Sequence, residues 1–122
     1  MASTHDFPVV FEQLKTILKP YAQHLTLTTD AADAYSLDGP YSEKWKKQLF
    51  FASTVIKKNY VSFYLMPVYM YPELLNEISS DLKKRMQGKS CFNFKKVEPE
   101  LFHELAELTQ KGAEKFKQEN AS

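Results

Sequence analysis

Cysteine is almost missing from this chain: Cys91 stands alone among 122 residues, so an internal disulfide is excluded and a reducing compartment is the natural expectation. Long apolar runs are missing as well. The uncharged run Tyr60 to Pro72 holds two prolines and, at 13 residues, is too short to span a bilayer. The opening MASTHDFPVVFEQL has no basic segment followed by an apolar one, so it does not read as a signal peptide. Together these features lead to the expectation of a cytoplasmic protein with no membrane role. Charge of one sign is also lacking, with a net of +1, although its distribution is uneven. Residues 57–96 carry eight Lys/Arg against three Asp/Glu, hence +5, and the remainder carries eight against twelve, hence −4. A middle this mildly basic does not favour nucleic acid as a partner.

What is abundant is aromatic. Rings make up 14% of the chain and hydrophobic residues 43%, enough for one domain over residues 1–122 with a single core built on bulky side chains. Phe7, Val10, Phe11, Leu14, Ile17 and Tyr21 recur at helical spacing behind Asp6 and Pro8, and Pro20 stops or kinks that helix. HLTLTTD alternates as a half-buried strand, and AYSLDGPY reads as a strand ending at an Asp38-Gly39-Pro40 turn. Leu49–Lys57 and Tyr60–Met66 are β-rich runs joined at Lys58-Asn59, where a left-handed asparagine would close a tight hairpin. In the second run Val61, Phe63 and Leu65 point one way, and Tyr60, Ser62, Tyr64 and Met66 the other.

Beyond Pro72, Leu74, Leu75, Ile78, Leu82 and Met86 form a helical stripe broken at Ser79-Ser80, with Ser80 capping its second half and Gly88 closing it. SCFNF is one more strand, and Pro99 opens a long last helix with Leu101, Leu105, Leu108 and Phe116 as its core stripe. The expected class is α+β. An antiparallel sheet of about five strands is covered by the N- and C-terminal helices and a short helical pair.

Chemistry-bearing patterns are sparse. Gly88-Lys89-Ser90 matches the end of a phosphate-binding loop, but Lys83 occupies the position of its first glycine, so a helix-ending glycine is expected. Glu100 and His103 have the three-residue spacing of di-iron bundle ligands in one copy only, which reads as a solvated acidic face. Cys91 has Lys89 two residues away and reads as a structural thiol rather than a nucleophile. No convincing catalytic set emerges, so a non-catalytic protein without cofactor is expected.

Lys57, Lys58, Lys83, Lys84, Arg85, Lys89, Lys95 and Lys96 are placed to meet Tyr60 and Tyr64 in a basic, aromatic surface. The sharper form of this reading has Tyr60, Tyr64, Met66, Tyr69 and Tyr71 lining a groove rimmed by Lys58, Arg85 and Lys89, suited to an anionic or flat small molecule. The partner is then a small molecule or a protein, a second copy of the chain being one candidate.

The run IKKNYVSFYLMPVYMYPELLNEISSDLKKRMQGKSCFNFK, followed by ELFHELAELTQKG, resembles the bacterial YdhG-like domain family, a group of unknown function in the fold neighbourhood of frataxin and YjbR. The resemblance covers about residues 7–117 and is most specific at NYVSFYLMPVY and KKRMQGKSCFNFK. It implies a compact α+β fold with an antiparallel sheet and packed helices, and no established activity. Through the frataxin side of that neighbourhood it implies an alternative, intracellular iron binding and delivery. Carboxylates along the first helix and the adjoining strand edge, here Asp6, Glu12, Asp30 and Asp33, would then hold the metal.

Overall fold

The structure, a computed structural model, describes residues 7–42 and 46–120. Helix α1 (Phe7–Leu18) forms because Val10, Phe11, Leu14 and Leu18 fall on one side of it, all of them buried. Proline cannot continue the helix, and the chain tightens into a 3₁₀ segment, Lys19–Gln23. Strands β1 (Thr26–Asp30), β2 (Ala34–Ser42), β3 (Lys47–Ile56) and β4 (Val61–Leu65) follow. A short helix α2 (Met66–Met70), a 3₁₀ segment (Pro72–Glu77) and helix α3 (Ser80–Lys83) come next. Strands β5 (Met86–Gln87) and β6 (Cys91–Phe94) and the 22-residue helix α4 (Pro99–Asn120) are the last elements among the described residues.

The six strands form one sheet in the order β1-β2-β3-β4-β6-β5, and every neighbouring pair is antiparallel. Register fixes what each face carries. Val61, Phe63 and Leu65 stand opposite Ile56, Thr54 and Ala52 of β3, and Val61 and Phe63 stand opposite Phe94 and Phe92 of β6. Cross-strand partners share a face, so these residues make one apolar surface, and Val61, Phe63, Leu65, Phe92 and Phe94 are fully buried. Helices α1 and α4 pack on it and on each other, and α4 also meets α2 and α3. Phe94 meets Phe102 of α4 edge-on at 4.8 Å, and Phe51 meets Phe116 at 5.5 Å. The other face carries Ser36, Ser53, Val55, Ser62, Tyr64, Cys91 and Asn93.

The α+β class and the in–out alternation of β4 agree with the sequence, and several local expectations do not. The sheet has six strands rather than about five. The extra one, β5, is a two-residue strand held by the turn at Gly88, whose φ of +81° suits glycine. Gly88 therefore turns a hairpin instead of ending a helix, and Met86 belongs to a strand rather than to the helical stripe. Ser79, not Ser80, caps α3, its hydroxyl accepting from the Leu82 N–H at 3.2 Å. Strand β1 is exposed along its length rather than half-buried. Met66 opens α2 instead of ending β4, because Pro67, suited to a first helical turn, cannot donate to the ladder. The β3–β4 hairpin closes with Lys57 N–H donating to Tyr60 C=O at 2.8 Å. Its Asn59 does not adopt a left-handed backbone.

The expected Asp38-Gly39-Pro40 turn does not end the strand: β2 continues through it, with register irregularities between Leu37 and Asp38 and between Asp38 and Tyr41. Gly39 also answers to a close approach. A Cβ at this position would lie 2.8 Å from Phe116 Cζ and nearer still to Cε2. Gly39→Ala is accordingly expected to destabilise the fold by about 1–3 kcal/mol through overpacking, seen as a lower urea midpoint. An unchanged midpoint would show that Phe116 moves aside freely.

Candidate binding groove

At the end of the sheet where β3 turns into β4, three segments converge around a groove of about 880 Å³. The hairpin tip supplies Asn59 and Tyr60. The passage from α3 into β5 supplies Lys84, Arg85 and Gln87, and β6 with its exit supplies Asn93, Lys95 and Lys96. Glu98, just before α4, is the one acidic residue in the lining among the described residues. Its carboxylate is already committed: Arg85 Nε donates to Oε2 at 2.7 Å and the guanidinium donates to Oε1 at 2.6 Å. Arg85 is anchored from its backbone too, its carbonyl accepting from Asn93 N–H at 2.8 Å. Lys95 and Lys96 are exposed and, among the described residues, in no ion pair. Lys84 reaches Asp81 only at 3.9 Å, with both side chains more than 70% exposed, a pairing of little strength.

The Arg85 hydrogen bonds hold the Glu98 carboxyl below the usual carboxylate range, burial opposing them in part. A depressed acid contributes stability that is complete above its unfolded pKa and is lost as pH falls through the folded value. Glu98→Gln is therefore expected to be less stable than the parent at neutral pH. The gap should close as acid protonates Glu98, the loss being modest because Arg85 is 35% exposed. Urea midpoints measured across acidic pH check this, and parallel curves would contradict it.

Beneath the groove lies a chain of polar contacts. Ser62 Oγ donates to Asn93 Oδ1 at 2.7 Å, and the Cys91 thiol donates to the same oxygen at 3.3 Å. Asn93 Nδ2 donates in turn to Gln87 Oε1 at 2.6 Å. Ser62 is 1% exposed, and its carbonyl accepts from Thr54 Oγ1 at 2.9 Å, so the chain rests on the centre of the sheet. Burial pushes the Cys91 thiol up, against smaller opposing effects of Ser62, Tyr64 and Lys57. Lys89, its neighbour in sequence, is not among them. Since the thiolate is the nucleophile, alkylation of Cys91 by iodoacetamide at neutral pH should be slower in the folded protein than in urea. Equal rates would contradict a protonated, sheltered thiol.

The residues expected to share a groove are divided. Tyr60 and Arg85 line it together. Lys58 and Lys89 are exposed in the β3–β4 and β5–β6 turns and do not line it. Tyr64 is half-buried further along β4, opposite Ser53 and Cys91, with Lys57 Nζ 5.9 Å from its ring centre. Met66, Tyr69 and Tyr71 lie beyond the far end of β4, a strand length of about 17 Å from Tyr60. There Tyr71 faces Lys115 Nζ at 5.4 Å, and Tyr69 is exposed. Gln87, Asn93 and Glu98 were not foreseen as site residues. The only sequence signal for them is the alternation that places Asn93 on the same face as Cys91.

The carboxylates of the iron alternative do not gather either. Asp6 lies outside the described residues. Glu12 is exposed on α1, and Asp30 pairs with Lys15 at 3.3 Å. Asp33 is exposed ahead of β2, its carbonyl accepting from Ile56 N–H. His103 pairs with Glu107 at 3.3 Å rather than with Glu100. Among the described residues no group of three or more His, Cys, Asp or Glu is placed to hold a metal ion, and no helix is long and apolar enough to cross a membrane. No protein-family model, no curated protein and no solved structure matches the chain.

Proposed function

We propose that this chain is a non-catalytic, cytoplasmic binding module of YdhG-like type that takes an anionic small molecule at the basic end of its sheet. The observation that carries the reading is the imbalance of the groove. Lys84, Arg85, Lys95 and Lys96 line it against one carboxylate, which Arg85 occupies with both oxygens. A cleft with a single sign of charge concentrates ions of the opposite sign. Its volume of about 880 Å³ lies within the range of small-molecule sites. Tyr60, half-buried in the lining, supplies an apolar face with a polar tip.

Titration calorimetry with tripolyphosphate as probe tests the proposal. The expected result is one saturable site whose affinity falls as salt is raised. Absence of a saturable signal at low salt would overturn it.

A further inference from the structure

We infer that the group seated in this groove is the phosphate of a phosphate monoester carried on a ring, with Gln87 donating to it. This rests on the anion-binding reading and narrows it by the donor chemistry of the floor. Two donors, Ser62 Oγ and Cys91 Sγ, converge on Asn93 Oδ1, and Asn93 Nδ2 donates to Gln87 Oε1. Asn93 Oδ1 therefore has both lone pairs engaged, and Gln87 Oε1 has one of its two engaged by Asn93. Left over in the two lining amides are both N–H donors of Gln87 Nε2, the second hydrogen of Asn93 Nδ2 and one lone pair of Gln87 Oε1, so donors outnumber acceptors three to one. A floor richer in donors than in acceptors favours a group that only accepts.

The cations narrow the class again. Planar carboxylates are best recognised by the guanidinium fork, and the fork of Arg85 is closed on Glu98. Lys84, Lys95 and Lys96 are left as compact charges without a preferred plane, which suits a tetrahedral dianion. The hollow beyond the Arg85–Glu98 bridge is lined by Asp81, Glu98 and Glu100 against the single cation Arg85, a negative balance that disfavours an anion. The phosphate is thus confined to the Lys95–Lys96 side, where Tyr60 offers its ring to whatever the phosphate is attached to.

Titrations of the intact chain with inorganic phosphate, AMP, adenosine and malonate, followed by NMR, test this. AMP should bind more tightly than phosphate and phosphate more tightly than malonate, adenosine should not bind measurably, and the Gln87 side-chain amide signal should move with phosphate. Gln87→Met, at an exposed position, should keep the circular-dichroism spectrum and bind phosphate and AMP about tenfold more weakly, as expected for one hydrogen bond to a charged acceptor. Malonate binding as tightly as phosphate, adenosine binding as tightly as AMP, or an unchanged Gln87→Met variant would overturn the phosphate assignment and leave an anion groove standing. If no anion moves signals in the groove, both readings fall together.

Discussion

Replacing Lys95 and Lys96 together with Glu is expected to abolish tripolyphosphate binding while leaving the unfolding curve near that of the parent. Four cations and one carboxylate line the groove, a net of +3, and two reversals take it to −1. The sign of the local field therefore inverts. Lys95 and Lys96 are exposed, so each charge acts through screened solvent, yet four units of change on a polyvalent anion still reduce affinity by at least about a hundredfold. Exposure also explains why the fold should tolerate the change, because exchanging surface charges is usually worth well under 1 kcal/mol. A matched reversal of Lys111 and Lys115 on α4, where both lysines pair with carboxylates of the Pro72–Glu77 segment, is the control and should leave binding in place. Calorimetry on the two double variants checks the pair. Equal losses in both would mean diffuse attraction to the surface rather than a groove.

Phe63→Ala is expected to remove about 3–5 kcal/mol of stability, a large part of the roughly 5–15 kcal/mol typical of a domain. Phe63 is fully buried at the middle of β4, flanked in register by Thr54 and Phe92. Truncation there opens a cavity under the helical layer, which the rigid ladders on both sides cannot fill. The urea midpoint should fall with the slope of the transition unchanged. Tyr64→Phe, one residue along and on the other face, should shift it little by comparison. Similar losses at both positions would deny the in–out alternation on which the placement of the groove depends.

Periodicity carried across from sequence to structure, and neighbourhood did not. Val61, Phe63 and Leu65 were legible because a two-residue repeat has one physical reading in a short strand next to a turn. Most of the α4 stripe was legible for the same reason at helical spacing: Leu105, Leu108 and Phe116 are buried, whereas Leu101, expected with them, is half-buried and its neighbour Phe102 is buried instead. The Asp38-Gly39-Pro40 segment misled because its composition signals a bend, whereas Gly39 answers to Phe116, 77 positions away. The tyrosines from 60 to 71 misled because they are adjacent in the chain across a strand-to-helix junction. Proline in the first turn of α2 redirects the backbone at Met66 and carries Tyr69 and Tyr71 to the opposite end of β4 from Tyr60.

The groove itself was half visible. Its cations and Tyr60 stand out in a basic middle region, and Lys84, Arg85, Lys95 and Lys96 belong to the basic set read from the sequence. Its floor was not visible, since the Ser62–Asn93 contact follows from the β4–β6 pairing of segments 31 residues apart. No local pattern announces that pairing. Nor does composition reveal that Glu98 closes the guanidinium of Arg85 and leaves the lysines to meet the ligand alone.

Mapping backbone amide shifts during a tripolyphosphate titration tests the location of the site most directly. Saturating shifts confined to residues 59–60, 84–87 and 93–96 are the predicted result. Shifts centred instead on Lys111 and Lys115 of α4, or none at low salt, would contradict a ligand seat at the basic end of the sheet.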